Sequence, residues 1–227
     1  VLKDLVLFYS STEKKPVTLA EYVSRMKEGQ NDIYYACGES VDRIALLPQT
    51  DAVTAKGYEI LFLTDNVDEF ALKILEKYEE KGFKNISADE LNLETEEEKK
   101  EAEKRSEDNK DMLDFMKEAL SGSVASVKLS SRLSRHPVCL ASEGNISIEM
   151  EKVLNSMPQQ EKVKAQRVLE INPGHPVFTT LTALFESDKD KLASYTQLLY
   201  TQALLIEGLP IDDPVDFSNK ICQLMTD

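Results

Sequence analysis

The chain has 227 residues, of which 41% are apolar and 30% are charged, a balance typical of a folded globular protein. Its net charge of −14 argues against nucleic acid and against anionic membrane surfaces as main partners. No apolar run reaches the roughly 18 residues that predict a membrane span. Three scattered cysteines, Cys37, Cys139 and Cys222, fit reduced thiols in a cytoplasmic protein better than a disulfide framework. Because the first residue lies inside an amphipathic pattern, we expect a piece of a longer protein.

Helices and strands are predicted to alternate in the first half of the chain. Residues 1–9 have the spacing of a helix end, and Thr18 begins a capping-box signature that opens the next helix. Residues 32–36 and 58–63 are rich in aromatic and branched side chains, which predicts two strands, the second buried on both faces. A third strand is predicted over residues 84–87. Strands separated by helices in this way predict a small parallel sheet.

The edge of such a sheet offers one alternative function. Parallel sheets often bind ligands beyond the carboxyl ends of their strands, and Gly38 and Asp65 follow the first two strands. A nucleotide-binding protein or α/β enzyme using this edge is therefore a rival hypothesis, although the sequence has no dinucleotide fingerprint and no phosphate-binding loop. His136 and His175 each precede a proline, without partners at metal-ligand spacing. We expect neither catalytic residues nor a metal site.

A highly charged segment divides the sequence. Residues 94–108 consist mainly of Glu and Lys, which is typical of a solvated helix or linker, and we place a domain boundary near residue 100. Beyond it, alternating or apolar runs predict strands over residues 124–129, 138–141 and 167–171.

A short amphipathic helix is predicted between the last two of these strands. Methionine and leucine side chains form adaptable apolar surfaces, so this helix is a candidate for gripping unfolded proteins. The alternative is that the same face is the ordinary inward side of a docked helix. The residues on that face are Ile146, Met150, Val153, Leu154 and Met157.

Two consecutive helical patterns end the chain, the first over residues 190–207 and the second from Asp213. Gly208 and Pro210 separate them, and the first helix is apolar on two faces. A single chain covers one face of such a hairpin. The same hairpin from a second copy would cover the other face in a two-fold helical bundle, unless both faces lie in the internal core.

Several strings of the sequence together resemble those of a known family. They are residues 8–11 (FYSS), 22–27 (YVSRMK), 32–35 (DIYY), 38–40 (GES), 57–65 (GYEILFLTD) and 169–173 (LEINP). These strings resemble the ninety-kilodalton heat-shock chaperones, and the resemblance covers the whole chain in the family's order. The chain has neither a long acidic insert nor a terminal MEEVD sequence, and in this it resembles the family's bacterial branch.

The resemblance implies a fold of mixed α+β and α/β class in two domains. Residues 1–100 would be the C-terminal αβα part of the family's middle domain, a three-layer sandwich around a short parallel sheet. Residues 101–227 would be the C-terminal dimerisation domain, a mixed α+β domain that ends in a helical hairpin.

The resemblance also implies two binding sites. The short amphipathic helix would face the cleft between protomers and bind clients through Met150, Val153, Leu154 and Met157, with Met150, Leu154 and Met157 as exposed tips. The hairpin would form a four-helix dimer interface, whose candidate contacts are Leu192, Tyr195, Leu199, Ile206, Phe217, Ile221 and Leu224.

The parent protein implied by the resemblance is an ATP-driven chaperone that assists protein folding. Its partners would be a second copy of itself and unfolded or partly folded client proteins, with neither nucleic acid nor membrane among them. The ATPase domain, with ATP and Mg, would lie upstream of this chain. We therefore expect that this segment is not an enzyme and has no cofactor.

Overall fold

The computed structural model describes residues 2–89, 91–158 and 162–226. It is a mixed structure of helices and sheets, which confirms the general α/β class. The chain divides into two compact units: the first comprises residues 1–93 and 142–165, and the second comprises residues 94–141 and 166–227. Residues 142–165 belong to the first unit, so these units differ from the predicted ranges 1–100 and 101–227, which stay a prediction.

The strands and helices are numbered in chain order. The strands are β1 (Leu7–Ser10), β2 (Pro16–Thr18), β3 (Asp32–Cys37), β4 (Ile60–Leu63), β5 (Lys77–Tyr78), β6 (Lys81–Asn85), β7 (Ser126–Leu129), β8 (Val138–Glu143) and β9 (Gln166–Ile171). The helices are α1 (Leu19–Ser24), α2 (Val41–Ala45), α3 (Thr50–Ala55), α4 (Asp68–Leu75), α5 (Glu96–Asp108), α6 (Lys110–Ala119), α7 (Ile148–Ser156), α8 (Pro176–Ser187), α9 (Lys189–Ile206) and α10 (Pro214–Leu224).

The first unit is built on a sheet of order β2-β1-β4-β3-β6-β5. Its centre is parallel as predicted: β3 pairs with β4 through Tyr34 and Ile60, and with β6 through Tyr35 and Asn85. The flanking pairs β1–β4, β1–β2 and β5–β6 are antiparallel and were not predicted. The mixed sheet therefore has a parallel core whose carboxyl ends face one edge.

The prediction of a helix over residues 1–9 is wrong for most of that range. Leu2–Asp4 forms a single 3-10 turn, and Leu7–Ser10 is β1. Phe8 and Ser10 are buried while Leu7 is exposed, which is the two-residue period of a strand beside a core. The window is too short to separate this period from that of a helix end.

A buried polar cluster joins α1 to β4. The Arg25 guanidinium donates to both carboxylate oxygens of Glu59 at 3.0 and 2.8 Å, and the Ser10 hydroxyl donates to the same carboxylate at 2.5 Å. The Tyr22 hydroxyl donates to the Glu59 carbonyl at 2.8 Å and accepts the Tyr34 amide at 3.0 Å. The capping box that Thr18 opens is also present at the start of α1, so the predicted helix start is confirmed.

The second unit contains a three-stranded sheet of order β7-β9-β8. β7 and β9 are parallel, with Val127 opposite Leu169. The charged segment forms α5, which has no buried residue, so the predicted solvated helix is confirmed. A buried ion pair between Arg132 and Glu170 at 2.8 Å, with the Ser130 hydroxyl donating to Glu170 at 2.6 Å, ties the loop after β7 to β9.

Helices α8, α9 and α10 end the second unit. His175 caps α8 by accepting the Val177 amide on Nδ1 at 3.2 Å, which gives this histidine a structural role. α9 packs against α6 and α8, and α10 packs back along α9. Across the described residues, no helix is both long enough and apolar enough to cross a membrane.

Candidate protein-binding sites

The C-terminal hairpin has well-defined ends. Asp188 caps α9 by accepting the Lys191 amide at 2.9 Å. Asp213 caps α10 by accepting two backbone amides at 3.1 and 2.9 Å, with Pro214 in the first turn as predicted. The Lys220 ammonium donates to the Gln197 side chain at 2.6 Å and links the two helices. The hairpin is therefore held by side chains that cap both helices and by a hydrogen bond between the helices, in addition to its apolar contacts.

The predicted dimer contacts fall into two groups. Leu192 and Leu199 are buried in the core of the second unit, and their role as dimer contacts stays a prediction. They lie on the face of α9 that the unit itself covers. The remaining predicted contacts keep accessible surface: Tyr195, Ile206, Phe217 and Ile221 are half-buried, and Leu224 is exposed.

Besides the predicted contact Leu224, the hairpin exposes Leu205, Val215 and Met225, which were not included in the prediction. Exposed fractions are 45% for Leu205, 69% for Val215, 43% for Leu224 and 79% for Met225. α10 has no buried residue at all. A groove of about 240 Å³ runs between the end of α6, α9 and α10. The second apolar line of the α9 sequence consists of Leu198, Leu205 and Leu209, of which Leu198 and Leu209 are buried and Leu205 is exposed. The sequence pattern therefore does not mark this outer face.

The short amphipathic helix is α7, and its apolar face is mostly covered. Ser147 caps α7 by accepting the Met150 amide at 3.0 Å. Met150 and Val153 are buried, Leu154 is half-buried, and Met157 just beyond the helix is 51% exposed. The expectation that Met150 is an exposed tip is therefore wrong, because this side chain points into the first unit.

The carboxyl ends of β3 and β4 form the surface that covers Met150 and Val153. A cavity of only about 10 Å³ remains beside Met150 and Val153. It is also lined by Cys37 and Leu63, the last residues of the two strands, and by Phe70 of α4. That volume is about the size of one water molecule. Gly38 and Asp65 line the same cavity, so α7 occupies the sheet edge where the rival hypothesis placed a nucleotide.

A buried carboxylate lies beside this edge. Glu69 of α4 accepts the Tyr35 hydroxyl at 3.2 Å and the Asn85 side-chain amide at 2.8 Å, and it also accepts the Ser147 hydroxyl in a short hydrogen bond. Burial, followed by the nearby Glu69 charge, raises the pKa of the Cys37 thiol well above its usual value. Glu69 therefore joins two strands of the parallel core to the N-cap of α7.

The segment after α7 is tied back onto the helix. Asn155 and Val163 exchange two hydrogen bonds, of 2.7 and 2.8 Å, and the Glu151 carboxylate accepts the Ala165 amide at 2.9 Å. These contacts lie between residues 151 and 165. Val163 and Ala165 are therefore hydrogen-bonded to side chains of α7.

Metal and disulfide chemistry do not feature among the residues that the structure describes. No group of three or more His, Cys, Asp or Glu side chains in residues 2–89, 91–158 and 162–226 is arranged to hold a metal ion. Cys37, Cys139 and Cys222 are free thiols. Burial raises the pKa of Cys139 as well, which keeps this thiol protonated in the core.

Comparison with known proteins shows the family of the chain. All of residues 1–227 match the sequence model described as Hsp90 protein. The chain belongs to the Hsp90 family. It is 60% identical over 225 residues to the chaperone protein HtpG of Clostridium acetobutylicum and 58% identical over 224 residues to that of Bacillus subtilis. Each match covers 99% of this chain and 36% of the relative, so the chain spans about a third of these Hsp90 relatives.

Hsp90 membership confirms the resemblance to a heat-shock chaperone and corrects other expectations. We expected that the segment lacks the ATPase domain, is not an enzyme and has no cofactor. The Hsp90 family model matches the chain over residues 1–227 and the chaperone protein HtpG matches 99% of it, so no basis remains for placing this segment outside the family's ATPase part. These three expectations are wrong. The rival hypothesis, an α/β nucleotide-binding protein or enzyme using the small parallel sheet, stays a prediction.

Proposed function

We propose that this chain supplies protein-binding surfaces to an Hsp90-family chaperone. One surface, the outer face of the α9–α10 hairpin, binds a second copy of the chain. The other, the apolar face of α7, binds unfolded or partly folded clients. In the whole protein, these surfaces act within an ATP-dependent chaperone cycle in the cytoplasm.

The observation that carries the self-association proposal is the exposed apolar face of the hairpin. Leu205, Val215 and Leu224 are large apolar residues with 43–69% of their surface in solvent, although the other side of α9 is fully packed. Large exposed apolar patches mark interaction sites. An identical hairpin from a second copy offers the same apolar groups in a self-complementary two-fold arrangement.

Sedimentation equilibrium over a dilution series tests self-association. We expect a monomer–dimer equilibrium with a dissociation constant in the micromolar range or tighter, which corresponds to about −8 kcal/mol or stronger. A chain that stays monomeric up to about a hundred times that concentration would contradict the proposal.

The client-binding proposal rests on the apolar residues that α7 and its end leave accessible. Leu154 is half-buried and Met157 is half-exposed, and a flexible methionine adapts to varied apolar partners. The assignment of residues 1–100 and 101–227 to a middle-domain part and a dimerisation domain stays a prediction.

Suppression of client aggregation tests this second surface. The variant Leu154→Ser with Met157→Ser is expected to lose most of the suppression and to keep the free energy of unfolding within about 1 kcal/mol, because neither side chain is fully buried. The matched control is Leu46→Ser, which removes a 77% exposed leucine elsewhere in the first unit. Equal suppression by the double variant and the unaltered chain would count against α7 as the client surface.

A further inference from the structure

The client-binding face of α7 is covered by the chain itself. Of its apolar residues, Ile148, Met150 and Val153 are buried, and the cavity left around Met150 and Val153 is about one water in size. A client that is to contact these buried residues has to replace the edge of the parallel sheet. While α7 is docked, Ile146 and Leu154 are half-buried and Met157 is exposed.

One side chain links the docking of α7 to its own helix start. The Ser147 hydroxyl accepts the Met150 amide at 3.0 Å as N-cap and donates to the buried Glu69 carboxylate. Glu69 is held in turn by Tyr35 and Asn85 on the sheet. Ser147 therefore both caps α7 and attaches it to the rest of the first unit, through a hydrogen bond to Glu69, 78 residues earlier in the chain.

The connections of α7 allow it to move as a piece. Before the helix, the chain is fixed where the Ser142 amide donates to the Ser87 carbonyl at 2.9 Å. Gly144 follows with a φ of +82°, a left-handed conformation that suits glycine, and no atom lies within 4 Å of where its Cβ would be. Behind the helix, Asn155 and Glu151 hold Val163 and Ala165 against α7.

We propose that α7 is an autoinhibitory element, in which the Ser147–Glu69 hydrogen bond and the burial of Met150 and Val153 hold the client-binding face against the sheet edge until a client releases it. This inference rests on the proposed client-binding function of α7. In a two-state equilibrium, the apparent affinity for a client is the affinity of the released form multiplied by the released fraction. Variants that weaken docking therefore bind clients more tightly.

The sharpest test changes the charge at Ser147 and leaves the cap in place. Asp and Asn are both good N-caps of similar size, so Ser147→Asp and Ser147→Asn keep α7 capped. Only the aspartate variant places a second carboxylate against buried Glu69, and two like charges at hydrogen-bond distance repel strongly. Ser147→Asn retains a donor for Glu69 and is the matched control.

Two readouts are needed on the whole chain. Hydrogen exchange reports the protection of α7, and fluorescence anisotropy reports binding of reduced, alkylated lysozyme, an unfolded basic polypeptide that the chain's negative charge does not repel. We expect Ser147→Asp to speed exchange in α7 and to tighten binding roughly tenfold, the ratio for a chain docked about nine-tenths of the time. Adding Glu69→Gln removes the repulsion and restores unaltered exchange and affinity.

Each other outcome overturns the inference. Faster exchange without tighter binding means that docking does not limit client access. Unchanged exchange in Ser147→Asp means that the Glu69 contact does not hold α7, and equal gains in Ser147→Asn mean that charge is not the cause. If the chain with Leu154→Ser and Met157→Ser still binds lysozyme normally, the proposed client surface itself fails. The Leu154→Ser, Met157→Ser variant therefore tests the client surface, and the Ser147 variants test the autoinhibitory contact.

Discussion

The two candidate binding elements differ in what covers their apolar faces. α7 has its apolar side against the sheet edge of its own unit, with Met150 and Val153 buried. α10 has no buried residue, and Val215 and Met225 lie in solvent. A covered face has to be released before it binds, whereas an open face is ready to bind. We therefore propose two different modes of protein binding for the similar amphipathic patterns of α7 and α10.

The largest expected effect is on self-association. Replacing Leu205 and Leu224 with lysine puts two charges on the open face, and we expect the dissociation constant to rise roughly 100-fold or more. Ile74→Lys changes an 85% exposed isoleucine in the first unit and serves as control. Sedimentation equilibrium of the variants decides: a dimer that survives both lysines would show that the open face is not the interface.

The next effect concerns the unit that presents the hairpin. Glu170→Ala leaves Arg132 buried without its carboxylate partner, and we expect a loss of about 3–5 kcal/mol in the free energy of unfolding. Glu80→Ala removes a pair of similar length, 2.8 Å, that lies on the surface, and it should cost no more than about 0.5 kcal/mol. Urea denaturation measures both. Similar losses in the two variants would contradict the buried pair's structural role.

Two methionines at α7 distinguish covered from open positions directly. Met150→Ala creates a cavity at the sheet edge, so we expect a loss of about 2–4 kcal/mol in the stability of the first unit. Met157→Ala alters a half-exposed side chain and should change stability by less than about 0.5 kcal/mol. Thermal unfolding followed by circular dichroism compares them. Equal, small losses would mean that α7 is not docked in solution.

The smallest expected effect is a pH dependence in the first unit. Burial, and then the charge of Asp32 and the neighbouring Tyr58, raise the pKa of Tyr34 to about 12. The folded state therefore holds this proton more tightly than the unfolded chain, and the resulting stability is lost as pH rises from about 10 to about 12. Tyr34→Phe has no proton to lose, so its stability should fall less over that range. Identical alkaline denaturation curves would contradict the shift.

Local sequence signals predicted the parts of the fold that depend on neighbouring residues. The capping box at Thr18, the strand at Ile60–Leu63 and the Asp213-Pro214 helix start all depend on residues within a few positions. The antiparallel edges of the first sheet were missed because β1 pairs with β4, some 50 residues away, and its short alternating run also fits a helix end. Strand pairing at that separation leaves no local pattern.

For the two candidate binding sites, the sequence predicted which residues share a helix face but not which faces the chain itself covers. The sequence places Leu199 and Leu205 on two apolar lines of α9, but packing within the second unit decides that Leu199 is buried and Leu205 is exposed. The position of Met150 was misjudged for a similar reason, because Leu63 and Cys37 at the sheet edge that covers it lie 87 and 113 residues earlier in the chain. Glu69 carries no sequence signal beyond an ordinary helical glutamate.

The central claim is that α7 is covered by its own chain and α10 only by a second copy. Hydrogen exchange measured at concentrations well below and well above the dimer dissociation constant tests this claim in one experiment. The account predicts that protection of α10 increases with concentration and that protection of α7 does not change. Constant protection of α10 at every dilution, or protection of α7 that rises with concentration, would contradict it.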